Sequence, residues 1–71
     1  MTIKKKQEFV ESFQNILHEE GDMFFSSGDV EQDYKNITET IKSQGYWAGN
    51  SVRYFFDKNW NFEGVQPRMF G

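Results

Sequence analysis

A chain of 71 residues with no cysteine and a single histidine has almost nothing to staple itself with. Disulfides and thiolate metal sites are closed to it, and zinc, which favours Cys and His ligands, is disfavoured by the same count. A body of this length buries only about 60% of the surface its unfolded chain exposes, so its core is thin. Dense packing and association with a partner remain as sources of stability. The aromatic content (two Trp, three Tyr and eight Phe) suits both, since each ring buries roughly 150–250 Å². The length allows one domain, residues 1–71.

Two amphipathic helices are predicted. In the first, residues 4–20, Ile3, Val10 and Leu17 recur every seven residues and Phe9, Phe13 and Ile16 fill the adjacent row, the pattern of one buried stripe. Gly21 supplies the left-handed position that ends it. Its charges oppose its dipole: Lys4, Lys5 and Lys6 occupy the first turn and Glu19 and Glu20 the last, at about 0.3–1 kcal/mol per exposed charge. In the second helix, residues 29–44, Val30, Tyr34, Ile37 and Ile41 form the stripe, Asp29 or Ser27 caps the start and Gly45 closes the end. Between them, Met23-Phe24-Phe25 reads as a helical turn, a short strand or a hydrophobic plug over the core, and Ser26-Ser27-Gly28-Asp29 as a turn.

Residues 46–50 read as a loop carrying Tyr46 and Trp47. Beyond it, Ser51 can cap a third helix over residues 51–60, with Val52, Phe55, Phe56 and Trp60 as its apolar stripe. A strand competes, because Val52, Tyr54 and Phe56 alternate and such residues favour sheets. The fold expected is therefore mainly α: a small single-domain bundle of about three helices with an irregular aromatic C-terminal tail over 61–71. The alternative is α+β, with residues 52–56 and the tail paired as a C-terminal hairpin.

The net charge of −3 conceals an uneven distribution. Three lysines open the chain. Residues 7–34 then hold eight acids and no Lys or Arg, and from Lys35 onward five bases face three acids. This predicts an acidic side and a mildly basic, aromatic one. No window reaches the roughly 20 apolar residues of a membrane span, and the basic start has no apolar run behind it, so a cytoplasmic protein without membrane contact is expected.

Catalytic and cofactor signatures are missing. His18, Glu19 and Glu20 place an imidazole beside carboxylates, but helical neighbours point about 100° apart and do not converge on a metal. There is no calcium-loop spacing and no phosphate-cradling glycine loop. The expectation is no enzyme, no cofactor and no metal.

Binding is the remaining class. Seven of the 17 residues from 46 to 62 are aromatic. If residues 51–60 are helical, Arg53 and Tyr54 lie outside the core, with Trp47 on the preceding loop. Tyr, Trp and Arg dominate binding hot spots. The residues predicted to contact a protein partner are Trp47, Arg53, Tyr54, Trp60, Glu19 and Glu20. The expected role is a small accessory inhibitor or modulator, of a style common among phage and mobile-element products. A helix-turn-helix over residues 37–60 is the nucleic-acid alternative. Val52-Arg53-Tyr54-Phe55 resembles the start of the recognition helix in winged-helix regulators of the mercury-resistance type, which implies duplex binding. The segment offers Arg53 and Lys58 opposed by Asp57, with Lys4, Lys5 and Lys6 as a further basic source. An acidic nucleic-acid mimic is a third reading, requiring the eight acids to line one surface.

Overall fold

In the computed structural model, which describes residues 2–67, the chain runs α1 (Ile3–Glu19), α2 (Val30–Gln44), β1 (Trp47–Ala48), β2 (Val52–Phe56) and β3 (Phe62–Pro67). The three strands form one antiparallel sheet in the order β1-β2-β3. The fold is α+β. It corrects the expectation of a three-helix bundle and agrees with the hairpin alternative.

Both helices begin and end as their local chemistry dictates. The Thr2 hydroxyl accepts from the Lys5 amide at 3.2 Å and opens α1. At its other end Gly21 takes a φ of 78°, its amide donating to the His18 carbonyl (3.0 Å) and that of Asp22 to the Leu17 carbonyl (2.8 Å). This paired closure uses up carbonyls that would otherwise face solvent alone. The Asp29 carboxylate opens α2, accepting from the Glu31 and Gln32 amides at 3.0 and 3.4 Å. Gly45, with a φ of 89°, closes it.

Residues 52–56 are a strand because of which face their rings must reach. Val52 and Phe56 sit four apart and satisfy a helical or an alternating pattern equally well; the deciding residue is Tyr54. It is fully buried, with Phe56 beside it, while Arg53 and Phe55 turn to the other face. The segment of 57–61 that looked like helix continuation is a turn. The Asp57 carboxylate accepts from the amides of Asn59 (2.8 Å) and Asn61 (2.9 Å), and the Asp57 amide donates to the Asn61 carbonyl at 3.0 Å. Led by the Asn61 amide, these bonds hold the Asp57 carboxyl below its ordinary value. Trp60 occupies the left-handed region at a φ of 65°, which costs roughly 1–2 kcal/mol for a side chain of this kind. The tail is not irregular as far as Pro67: residues 62–67 pair with β2, and Glu63 is the extra residue of a bulge between the Phe55–Gly64 and Phe56–Phe62 pairs. The rest of the expected tail, 68–71, lies outside the described residues. With a strand at 52–56, the helix-turn-helix over residues 37–60 has no recognition helix.

The core is Val10, Phe13 and Leu17 from α1, Ile37 and Ile41 from α2, and Tyr54 and Phe56 from β2. Phe13 is its hub. Its ring meets Trp47 at 5.1 Å and Phe24 at 5.3 Å, both edge-to-face, and Phe56 at 5.8 Å. Such pairs add roughly 0.5–1.5 kcal/mol to the area they bury.

One buried charge belongs to the scaffold. Asp33, 4% exposed, accepts hydrogen bonds from the Ser26 hydroxyl, the Ser27 hydroxyl (2.8 Å) and the Ser27 amide (2.9 Å), binding the connector to the first turns of α2. Burial pushes its carboxyl up, but the three donors outweigh that and hold it below its ordinary value of 3.8. A depressed folded pKa means the folded state favours the ionised form. Its stabilisation is complete above the unfolded pKa of about 3.9 and is lost as pH falls through the folded value. Urea unfolding across the acid range is therefore expected to show a loss of stability below about pH 4 that is reduced in Asp33→Asn. Equal acid sensitivity in both proteins would contradict this role.

Candidate functional site

The connector between the helices carries the two most exposed large hydrophobic side chains of the described residues. Residues 22–27 have no regular secondary structure. Across Met23, Phe24 and Phe25 exposure alternates, as it does in extended chain. Phe24 turns inward between Phe13 (5.3 Å) and Trp47 (5.8 Å). Its neighbours must then point out: Met23 is 69% exposed and Phe25 83%. Leaving such side chains in water forgoes about 1.5–3 kcal/mol apiece.

This projection is anchored rather than loose. One Asp22 carboxylate oxygen accepts from the Asn50 amide and from the Tyr54 hydroxyl, both at 3.0 Å, tying the connector to the β1–β2 turn and β2. Burial first, then the hydrogen bond to Asp22 and the charges of Asp22 and Glu20, raise the Tyr54 hydroxyl well above its ordinary value of 10.0, so it stays a neutral donor. Gly49 fits against the same carboxylate and the Tyr54 ring, where no Cβ has room. Phe24 inside, Asp22 latched and Asp33 holding Ser26 and Ser27 together fix both flanks of the Met23–Phe25 knob.

His18, Gly21, Asp22, Met23, Phe25 and Asn50 line an open recess of about 530 Å³ at the foot of the knob. Glu19 and Glu20 are exposed at the adjoining end of α1. The ion pair found among the described residues is Lys6–Glu31 at 3.5 Å, which leaves Glu19 and Glu20 without an intramolecular cation there. They add to the negative pole of α1 rather than offsetting it. The surroundings of the knob are acidic.

The residues predicted to contact a partner are dispersed by the fold. Glu19 and Glu20 are exposed at the last turn of α1, just ahead of the connector. Trp47 is half-buried beneath it. Tyr54 is fully buried, which corrects the expectation that it lies outside the core: in a strand it points to the same side as Val52 and Phe56. Arg53 is half-buried on the opposite sheet face, 5.1 Å over the Tyr46 ring, and Tyr46 in turn packs on Phe55 at 5.8 Å. Trp60 is half-buried against Phe9 at 5.8 Å, with the Lys42 ammonium 5.7 Å over its ring. Met23 and Phe25 are the exposed apolar pair that the sequence reading left within an undecided turn, strand or plug. A legible signal existed: three successive large apolar residues in a connector, where extended chain turns only alternate side chains to the core.

The eight acids of residues 7–34 are divided among tasks. Asp22 latches the connector, Asp29 caps α2, Asp33 is buried, and Glu31 pairs with Lys6. Glu8, Glu11, Glu19 and Glu20 remain as exposed acids along α1.

Among the described residues no helix is long and apolar enough to cross a membrane, and no group of three or more acidic or His side chains is placed to hold a metal ion. No protein-family model, curated protein sequence or solved structure matches this chain, so its functional reading rests on the geometry.

Proposed function

We propose that the protein is a stoichiometric binding module, not an enzyme, and that it grips a protein partner through Met23 and Phe25. The two side chains enter an apolar socket, and Glu19 and Glu20 face a cationic rim around it. The carrying observation is that Phe25 is 83% exposed on a connector held by Asp22, Phe24 and Asp33. A rigid aromatic anchor loses little conformational freedom on docking, which is the property that makes such residues hot spots. The acids contribute to orientation and encounter rate more than to final affinity.

Capture from the native host with the wild-type chain, in parallel with Phe25→Ser and Met23→Ser, tests this. Phe25→Ser is expected to change the melting temperature little, because the ring makes scant contact with its own fold. It is expected to reduce retention of the partner by roughly 30-fold or more, equivalent to about 2 kcal/mol. Undiminished capture by Phe25→Ser would refute the assignment.

A further inference from the structure

The protein itself carries a recess of a size to take a phenyl ring. At the C-terminal end of α2 and the β2–β3 turn, Ile41, Lys42, Gly45, Phe56, Lys58 and Trp60, together with Asp57, line an apolar groove of about 220 Å³. An enclosed apolar cavity of roughly 150 Å³ accommodates benzene, so this open groove has the volume for a phenyl ring. Lys42 and Lys58 are exposed at its rim. The ionised Asp57 carboxylate, held by the Asn59 and Asn61 amides, lies close enough to Lys58 to offset part of its charge, so the rim keeps one net positive charge, with Lys42 over the Trp60 ring. The groove is thus apolar with cations at its edge. The knob is apolar, and Glu19 and Glu20, exposed at the adjoining end of α1, have no ion-pair partner among the described residues.

One chain cannot join these surfaces. The knob lies at the C-terminal end of α1, bordered by His18, whereas Trp60 packs on Phe9. Nine residues of helix separate these points, about 14 Å along the axis, and the two linings share no residue. A second copy can supply what the first lacks.

We infer that Phe25 of one copy docks into the Lys42–Lys58–Trp60 groove of the next, with Glu19 and Glu20 facing the two lysines. The inference rests on the reading of Met23 and Phe25 as the docking element and names a second copy of this chain as an occupant of that contact. Because knob and groove are different surfaces, the contact is head-to-tail, and each added copy presents a fresh knob at one end and a fresh groove at the other. Assembly is therefore open-ended or ring-closing, rises with concentration and weakens with salt. Knobs engaged in this way are masked from any other partner.

Sedimentation velocity on the full chain from about 10 μM to about 1 mM is the test. The average mass is expected to rise with concentration past that of a dimer at about 0.05 M salt, and the apparent Kd to weaken about tenfold or more at about 0.5 M. Phe25→Ser, lacking the knob, and the double variant Lys42→Glu/Lys58→Glu, lacking the basic rim, are each expected to remain monomeric. Mixed together they are expected to form a 1:1 complex and stop, because only one productive contact is left between them. All substituted side chains are exposed, and circular dichroism of each variant checks that the fold persists. A wild-type chain that stays monomeric at about 1 mM overturns the inference. So does self-association indifferent to either variant, or a mixture that fails to pair. Self-association absent in a protein whose partner capture still depends on Phe25 overturns the inference alone and leaves the docking reading intact. Capture indifferent to Phe25 removes that reading as well.

Discussion

Phe13→Ala is expected to remove about half of the protein's stability. Truncating a buried Phe to Ala costs about 3–5 kcal/mol, through lost transfer energy and the cavity left behind. The whole stability of a domain this size is about 4–11 kcal/mol at the usual value per residue. Phe13 belongs at the severe end because it is completely inaccessible and meets rings from four segments: Phe9 on its own helix, Phe24 in the connector, Trp47 on β1 and Phe56 on β2. Without it the connector, the sheet and α1 lose their shared contact. Urea unfolding followed at 222 nm measures the loss. A change below about 1 kcal/mol would mean that neighbouring rings collapse into the space and that Phe13 is not the hub. Phe25→Ala is the internal control, since an equally large ring removed from an exposed site leaves no cavity.

Gly49→Ala is expected to cost about 3 kcal/mol, lowering the melting temperature by about 12 °C or more. The added methyl would fall within the Asp22 carboxylate and 2.7 Å from Cε2 of Tyr54. The Tyr54 ring is fully buried and cannot retreat. Asp22 can move away only by releasing both the Asn50 amide and the Tyr54 hydroxyl, and a buried donor left without an acceptor costs about 1–3 kcal/mol. The substitution also frees the flank of the Met23–Phe25 knob, so under the proposed docking partner retention is expected to fall although Gly49 is not part of the knob. Gly21→Ala separates this from a general glycine effect. That site has open space around it and only a left-handed φ of 78°, worth about 1 kcal/mol. Equal losses at both positions would show that the steric latch is not what makes Gly49 special.

Much of the fold is legible before any tertiary information is used. Helix boundaries are set by groups within one turn of the chain: the Thr2 and Asp29 oxygens that reach nearby amides, and Gly21 and Gly45, which enter the left-handed region at little cost. The stripe of Val10, Phe13 and Leu17 declares its buried face in the same local way. At residues 52–56 the local signals divide. Val52 and Phe56 suit both periods, Ser51 imitates a cap, and Phe55 lies on the helical stripe while Tyr54 lies on the alternating one. The Asp57-Lys58-Asn59 run downstream was the local evidence for a turn, and the apolar spacing to Trp60 hid it.

The exposed apolar surface divides along the same line. Composition and charge order point to a chain rich in rings, with a one-signed acidic stretch that leaves Glu19 and Glu20 exposed at the end of α1. Which rings stay outside is not written in residue types, because a Tyr or Trp serves a core and a contact face equally well. That choice follows from long-range pairing. Trp47 and Tyr54 stand opposite one another across β1 and β2, and the Tyr54 hydroxyl then lies within reach of Asp22, 32 positions earlier in the chain. Phe24 takes the space beside Phe13 and Trp47, which forces Met23 and Phe25 outward. Capping and periodicity are settled by neighbours a few residues away. Competition for a small interior is settled only when distant segments meet, and here it buried Tyr54 and left Phe25 in solvent.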